Sequence, residues 1–243
     1  MLKVNKFLIG IRPASRMFRV PSVVGLIIDA ILAERGGKKL EDEYYSEVAS
    51  NHEKSSYRLR NEELGNILRI DLENIIFIKD FYVTGKQFNF KKVFDEFAYI
   101  WKIINQYLKL NDVRRIGIVA EHQFELEAQN INTKLVQSLT RFNDLKHPAK
   151  FMLRFENRYP TKEGVAPDID KSDFINVIYS IYDGELDAEH PGKGLINANI
   201  DVQRYFSPLL KSNIPDEVLK LHNVLKNEKC KFENFLKERE IIK

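Results

Sequence analysis

The 243-residue sequence predicts an α+β fold in which antiparallel sheets pack against helices. One observation is a long amphipathic helix followed closely by an apolar strand, between Phe88 and His122. Another is the alternation of apolar and polar residues in short segments of both halves, which is typical of half-buried strands. The element order predicts a ferredoxin-like βαββαβ unit with extra hairpin strands in residues 1–125, and a helix, three strands and a helix in residues 126–243. We expect the two halves to pack as one compact unit.

The elements of the first half are identified by the spacing of their apolar residues. In chain order they are a strand at 2–11, a helix from Pro21, two weaker strands within 44–60, a hairpin at 68–78, a helix from Phe88 and a strand at 113–119. Pro21 suits the first turn of a helix, and Gly36-Gly37 is expected to end it. The hairpin is predicted because alternating apolar residues flank Glu73-Asn74.

The stretch from Phe88 to His122 is expected to form the first core. Apolar residues recur along one face of its helix, and these are Val93, Phe94, Phe97, Trp101, Ile104 and Leu108. Asn111-Asp112 break the helix, and the apolar strand that follows is expected to be buried. The stretch explains folding and does not indicate an activity.

The second half is predicted as a helix, three antiparallel strands and a final helix. In chain order these are a helix at 132–141, strands at 151–156, 174–182 and 196–202, and a helix from Pro215. Asp216 and Glu217 follow Pro215, and acidic residues in the first turn favour a helix start because of the helix dipole. The pattern allows a break in this last helix near Asn227.

The composition excludes several classes of protein. The chain has 38 basic and 35 acidic residues and a net charge of +3, whereas strong nonspecific nucleic-acid binders usually have a clearer basic excess. A local basic patch remains compatible with this total. The single cysteine, Cys230, excludes an intramolecular disulfide and a zinc site built on several cysteines. The first residues do not form a signal-peptide pattern and no apolar run approaches ~18 residues, so we expect a soluble cytoplasmic protein without a cofactor or a membrane segment.

Three short segments have a spacing that is found in a known family. The first is the opening strand and helix, and the second is VRRIGIV at 113–119, after the long aromatic helix. The third is ANIDV at 198–202, followed after about twenty residues by LKLH at 219–222 in the final helix. In these segments the chain resembles a sporadically distributed family of uncharacterised prokaryotic proteins of about this length. The family's usual aromatic-Ile-Asn after Arg-Ile-Gly is replaced by Ala120-Glu121-His122. Because the family has no established activity, the resemblance implies a related fold and no catalytic residues.

The arginines near the end of the first strand are candidates for binding an anion. Arg12, Arg16 and Arg19 lie in the loop before the first helix, where guanidinium groups and free helix amides both suit phosphate. Arg114 and Arg115 join them only if the ends of the two strands lie together. The alternative is that these side chains are solvated or pair with the many carboxylates of the chain.

Two groups of acidic residues with a histidine are candidates for a metal site. Glu121 and His122 follow the central strand, and Asp187 and His190 lie in an acidic loop. Neither spacing matches a known metal signature, and a solvated loop has the same composition. The sequence also lacks the GxSxG, HExxH and GxGxxG motifs, so no catalytic residue is predicted.

These observations leave three functional hypotheses. The leading one is a noncatalytic binding or protein-interaction module, which pairs with itself or with another protein through a sheet edge or exposed aromatic side chains. The first alternative is a nucleic-acid or nucleotide-phosphate binder that uses Arg12, Arg16 and Arg19. The second alternative is a metal-dependent hydrolase that uses Glu121, His122 and the acidic loop.

Overall fold

The computed structural model describes residues 2–33, 39–128, 130–140, 142, 144–145, 148–186, 193–211 and 213–242. These residues form an α+β arrangement of nine strands and five helices. The strands are β1 (Lys3–Pro13), β2 (Glu47–Asn51), β3 (Ser56–Asn61), β4 (Asn66–Ile70), β5 (Ile75–Asp80), β6 (Val113–Glu127), β7 (Met152–Pro160), β8 (Phe174–Leu186) and β9 (Lys193–Leu210). The helices are α1 (Val20–Leu32), α2 (Phe81–Thr84), α3 (Phe90–Leu108), α4 (Ile131–Leu139) and α5 (Ile214–Glu238).

All nine strands belong to one antiparallel sheet, in the order β2-β3-β4-β5-β1-β6-β9-β8-β7. Strand β6 crosses the predicted boundary at residue 125 and pairs with β9 from Val113 to Glu127. Strands of both halves therefore share the sheet. The division of the chain into two domains stays a prediction.

The predicted elements differ from the observed ones mainly in length. β9 covers Lys193–Leu210 and does not end near residue 202, and α5 continues through Asn227 without a break. Of the two weaker strand candidates, 55–60 matches β3, whereas 44–48 overlaps β2 only at Glu47 and Val48. The helix end predicted at Gly36-Gly37 lies outside the described residues.

Local sequence explains where the long helices begin. The side-chain oxygen of Asn89 accepts a hydrogen bond from the Lys92 amide at 3.2 Å and caps α3. Pro215, Asp216 and Glu217 occupy the first turn of α5, where a missing amide hydrogen and negative charge are both tolerated. Among the helices of the described residues, none combines the length and the apolar sequence needed to cross a membrane.

The long helices pack against the same face of the sheet. Phe7 of β1 contacts Phe90 of α3, with 5.9 Å between the ring centroids, and Tyr179 of β8 contacts Phe232 of α5 at 5.1 Å. The strand register places Phe7 and Tyr179 on the same side of the sheet. Helices α3 and α5 therefore cover one face.

The other helices lie on that side as well. Helix α1 packs against α3, and Phe81 of α2 contacts Phe88, which in turn contacts Phe7. Helix α4 is held by Asn132, whose Nδ2 donates to Oδ2 of Asp183 at 3.3 Å. We call the side that carries Phe7 the covered face. The opposite side, against which none of the five helices of the described residues packs, is the helix-free face.

Candidate functional site

A continuous row of side chains crosses the helix-free face from β3 to β7. Its members are lateral neighbours in the strand register, and they are Arg58, Arg69, Ile76, Gly10, Gly117, Gln203, Asn176 and Arg158. Arginines occupy both ends of this lateral row, and two glycines occupy its centre. Because neighbouring strands are roughly 4.8 Å apart, the row is about 34 Å long.

The centre of the lateral row is shallow because two glycines lie opposite each other. Gly10 of β1 pairs with Gly117 of β6. A Cβ atom at Gly117 would lie 3.3 Å from Cγ of Gln203, which is closer than ordinary van der Waals contact. Glycine at this position therefore leaves the Gln203 side chain in place, and it keeps the middle of the face low between the longer side chains at its two ends.

Further cations flank the lateral row on the same face. They lie two or four residues along the strands from its members, and they are Lys6, Arg12, Arg60, Arg115 and Arg154. Acidic residues at similar distances along the strands are Glu47, Asp80, Glu121, Glu156 and Asp201. Asp71, Glu73 and Glu62 also form ion pairs with Arg69, Arg12 and Arg60, so the eight cations of this face are matched by eight acids. The cations that form no ion pair among the described residues are Arg58, Arg115 and Arg154.

Arg115 is held in position by an aromatic side chain. Its Nη1 donates to the hydroxyl of Tyr205 at 3.2 Å, and its guanidinium lies 5.6 Å from the centroid of that ring. Tyr205 in turn stacks on Phe174, with 4.8 Å between centroids and 5° between ring planes. Arg12 lies directly opposite Arg115 on the neighbouring strand. Like charges at opposed positions repel, and the carboxylate of Glu73, 3.4 Å from Nη2 of Arg12, already offsets part of that repulsion.

Three buried oxygen atoms beside the lateral row accept no hydrogen bond from any described residue. They are Oδ1 of Asn176, Asn199 and Asp201, all on the helix-free face of β8 and β9. The other carboxylate oxygen of Asp201 accepts a hydrogen bond from Nε2 of Gln203 at 2.6 Å. Burial raises the pKa of Asp201, and the bond from Gln203 and two nearby arginines oppose that rise. These oxygens are buried, so a ligand that carries N–H groups would reach them only after neighbouring side chains move.

Two of the three arginines predicted to bind an anion in the loop before α1 form ion pairs in the structure. The carboxylate oxygens of Glu73 lie 3.4 Å from Nη2 of Arg12 and 3.0 Å from Nε of Arg16. The guanidinium of Arg19 has no hydrogen-bonding partner among the described residues. Together with Arg16 it lines a cavity of about 380 Å³ beside the loop. Of these three arginines, Arg12 belongs to the helix-free face.

The start of α1 offers few free amides to this cavity. The amide of Val20 donates to the carbonyl oxygen of Met17 at 2.9 Å, and that of Ser22 donates to the carbonyl oxygen of Arg19 at 3.1 Å. Pro21, between them, has no amide hydrogen. The helix start therefore contributes little to an anion site at this loop.

The two arginines at the start of β6, Arg114 and Arg115, contact different parts of the molecule. Arg114 donates to the carbonyl oxygen of Ile169 and lies 2.9 Å from Oδ1 of Asp170, in the loop before β8. Arg115 points to the helix-free face and adjoins Arg12. The ends of the first strand and of β6 do lie together, but they bring together only one arginine from each.

The first two metal candidates lie on opposite sides of β6. Glu121 is on the helix-free face, 3.6 Å from Nζ of Lys6. His122 is buried on the covered face, where its Nδ1 donates to the carbonyl oxygen of Ala198 at 2.9 Å. Burial lowers the pKa of His122 to about 4, so the imidazole is neutral at physiological pH. The two side chains cannot bind the same ion.

The other metal candidates, Asp187 and His190, lie outside the described residues. Within the described ranges, no three His, Cys, Asp or Glu side chains form a group that would hold a metal ion. The metal hypothesis therefore gains no support from the described part of the chain.

A buried ion pair on the covered face is not predicted by the sequence analysis. Nζ of Lys79 lies 3.0 Å from Oε2 of Glu96, which also accepts a hydrogen bond from the Tyr44 hydroxyl at 2.8 Å. Lys79 follows Ile75 and Phe77 in the buried alternation of β5. A lysine at a position that the alternation assigns to the buried side of a strand is the sequence feature that would have indicated a buried partner of opposite charge.

No protein-family model matches the chain, and no curated protein matches it at a significant level. The resemblance of its three short motifs to the sporadically distributed family accordingly stays a prediction. The geometry of the helix-free face is what supports a function.

Proposed function

We propose that this protein is a noncatalytic binding protein whose helix-free face holds a single strand of nucleic acid. The observation that carries the proposal is the lateral row, which has arginines at both ends and a low, glycine-lined centre. Guanidinium groups bind phosphate through paired N–H donors and also stack on bases. A phosphate chain along the row would also lie beside Arg115, which is two residues from Gly117 and forms no ion pair among the described residues.

The unpartnered acceptors beside the row give the bases a role. Nucleobases carry exocyclic amino groups, which donate hydrogen bonds to carboxylate and amide oxygens. The free oxygens of Asn176, Asn199 and Asp201 lie on the same face as the arginines. A single strand exposes these base edges, whereas a duplex engages them in base pairs. Open antiparallel sheet faces bind single strands in several RNA-binding folds, which supports the proposal by analogy.

We also propose that the first half is a ferredoxin-like unit. In its support, strands β4, β5, β1 and β6 are neighbours in that order and all antiparallel. Helix α1 follows β1, and α2 and α3 follow β5, so helices connect strands that are not adjacent hairpins. The exposed free thiol of Cys230 fits a reducing compartment, which supports a cytoplasmic location.

Membership of the sporadically distributed family is a further proposal. The Arg-Ile-Gly segment lies on β6 and the Asn-Ile-Asp segment on β9, and these strands pair in register, with Ala120 opposite Ile200. Helix α5, which carries the Leu-His segment, packs against both strands. The three motifs thus meet in one part of the molecule, which supports their origin in a common unit.

The proposal predicts salt-dependent binding to single-stranded RNA or DNA. Fluorescence anisotropy with a labelled oligonucleotide of about 12 nucleotides measures the affinity. We expect it to fall steeply between about 50 and 200 mM salt, because bound counterions are released. Arg58→Ala and Arg158→Ala, at opposite ends of the row, should each weaken binding about two- to fivefold and reduce the salt slope by about 0.7.

The matched control for these variants is Lys91→Ala. Lys91 is an exposed cation of α3, on the other side of the sheet. Its removal changes the net charge by the same amount and should leave the affinity unchanged. The proposal fails if the wild-type protein binds no oligonucleotide at low salt, or if Lys91→Ala weakens binding as much as the two arginine variants.

A further inference from the structure

Strand β7 is an open edge of the sheet. It pairs with β8 along one side, and its other side pairs with no strand within the described part of the chain. Most of its residues are exposed, including two large apolar side chains: Met152 is 75% exposed and Phe155 is 40% exposed. An exposed edge of this kind is a template for pairing with another strand.

Two copies of β7 can pair antiparallel about a twofold axis that is normal to the sheet. Such an axis keeps the helices of both copies on one side of the joined sheet. Each residue of β7 must then face a residue of the second copy that lies on the same side of the sheet. The axis therefore lies between the two strands, level with one residue of β7 that faces its own copy, and not level with the midpoint between two residues. The positions nearest the middle of the strand are Phe155, Glu156 and Asn157.

Charges argue against two of these three positions. An axis at Glu156 places Glu156 opposite its own copy and Arg154 opposite Arg158, so every charge faces a like charge. An axis at Asn157 pairs Glu156 with Arg158 but leaves Arg154 opposite Pro160, without a carboxylate.

An axis at Phe155 places charges of opposite sign next to each other on the helix-free face. It places Arg154 opposite Glu156 twice, once on each side of the axis. Arg154 has no ion-paired partner among the described residues, whereas Glu156 already binds Arg158 at 3.0 Å. The two Phe155 rings, each of which stacks on Tyr179 of its own chain at 5.0 Å, lie opposite each other, and the stem of Arg158 from the second copy covers Met152.

We propose that the protein forms a symmetric dimer in which two β7 strands pair antiparallel, with the twofold axis at Phe155. Residues 152–158 of each copy form the ladder. The two sheets become one continuous sheet, and the two helix-free faces become one surface with the charged residues of β7 at its centre. The proposal rests on the strand edge and its charges, and it does not depend on the binding of nucleic acid.

Sedimentation velocity at about 2 and 100 µM tests the proposal, since mass action makes a dimer concentration-dependent. The wild-type protein should show a dimer that dissociates on dilution. Glu156→Arg turns two attractive pairs into two repulsive ones, so we expect the dimer Kd to rise about tenfold or more. The double variant Arg154→Glu/Glu156→Arg should restore the dimer, because the exchanged charges again face each other.

Glu47→Arg is the matched control, because Glu47 lies on the opposite edge strand and binds an arginine, Arg60, at 2.7 Å. It should leave the dimer Kd unchanged, and circular dichroism checks that each variant keeps its sheet. Met152→Arg is an independent second test, since this exposed site would face Arg158 of the second copy and should weaken the dimer.

Three results would each overturn the proposal. The first is a wild-type monomer at both concentrations. The second is a wild-type Kd in both Glu156→Arg and Met152→Arg, which would place the interface elsewhere. The third is a charge-exchanged double variant that dimerises no better than Glu156→Arg, which would exclude the axis at Phe155.

Discussion

The covered face and the helix-free face are built from the same strands, yet their side chains have different roles. On the covered face, rows such as Ile9, Ile118, Val202 and Val177 are fully buried beneath the helices. Burial explains this set, because apolar area removed from water stabilises the fold. The residues that alternate with them include arginines, amides, acids and glycines, together with apolar side chains such as Leu8, Val119 and Ile178, so burial accounts for only part of the set. The polar residues and glycines of the helix-free face therefore need an explanation other than the burial of apolar area.

The same chemical pair has a different energetic role on each face. On the covered face, Lys79 and Glu96 lie 3.0 Å apart, and their side chains are 10% and 4% exposed. On the helix-free face, Lys6 and Glu121 lie 3.6 Å apart, and their side chains are 34% and 33% exposed. A buried charge that loses its partner is far more costly than an exposed one, because water does not replace the partner.

Removal of the buried carboxylate should have the largest effect on stability. Glu96→Ala leaves the Lys79 ammonium without a counter-charge and the Tyr44 hydroxyl without its acceptor, so we expect the free energy of unfolding to fall by about 3–5 kcal/mol. Glu121→Ala is the matched variant on the helix-free face and should cost less than about 1 kcal/mol. Urea denaturation at neutral pH measures both. Equal losses would show that the two faces do not differ in this respect.

The covered face should also lose stability in acid. Nε2 of His122 accepts no hydrogen bond from a described residue, and burial lowers the pKa of the imidazole to about 4. In the unfolded chain the same group binds its proton near pH 6.5. Protonation of His122 therefore favours the unfolded state as the pH falls below about 6.5. Above that pH the imidazole is neutral in both states and does not reduce the free energy of unfolding. Between about pH 7.5 and pH 5 we expect His122 to account for a loss of about 2 kcal/mol.

Unfolding free energies measured across this pH range in the wild type and in His122→Leu test the assignment. The variant should lack most of the decline. His222, which stacks on Phe90 and whose pKa burial also lowers to about 4, should still contribute a smaller part because it is only half-buried. An unchanged pH dependence in His122→Leu would mean that His122 is not the group that takes up the proton.

The sequence predicts well what depends on short spacing along the chain. The recurrence of Phe97, Trp101 and Leu108 at helical intervals predicts α3, and all three side chains are buried in the structure. A segment that is apolar at both alternating sets of positions predicts β8, and alternation of apolar and polar residues predicts β9, although β9 continues beyond residue 202. Both periods are local properties of the chain, so they need no knowledge of tertiary neighbours.

The lateral row cannot be predicted from periodicity, because it depends on the order of the strands in the sheet. Alternation shows that Arg58 and Arg158 point away from the buried side of their own strands, but it does not reveal which strands are neighbours. The opposed glycines, Gly10 and Gly117, are visible only once the register of β1 and β6 is known. The ion pair between Glu73 and Arg12 also requires the position of the hairpin next to β1.

The smallest expected effect tests the difference between the faces most directly. Burial raises the pKa of Asp201, and its Oδ1 accepts no hydrogen bond from any described residue. A raised pKa means that the folded protein holds the proton more tightly than the unfolded chain, so above that pKa the ionised carboxylate makes folding less favourable. Asp201→Asn removes the charge and keeps an acceptor for Gln203. We expect a gain of up to about 1 kcal/mol at neutral pH, which should vanish below about pH 3.9.

The same variant should bind an oligonucleotide less tightly, because a neutral amide accepts a weaker hydrogen bond from a base amino group than a carboxylate does. A change that raises stability and lowers affinity is the expected behaviour of a residue kept for binding. Urea denaturation of Asp201→Asn measures whether the free energy of unfolding rises or falls. Fluorescence anisotropy on the same preparation measures whether the affinity for the oligonucleotide rises or falls. A more stable variant with unchanged affinity would remove Asp201 from the binding surface. A less stable variant would show that the carboxylate supports the sheet, and the contrast between the two faces would then not hold at this position.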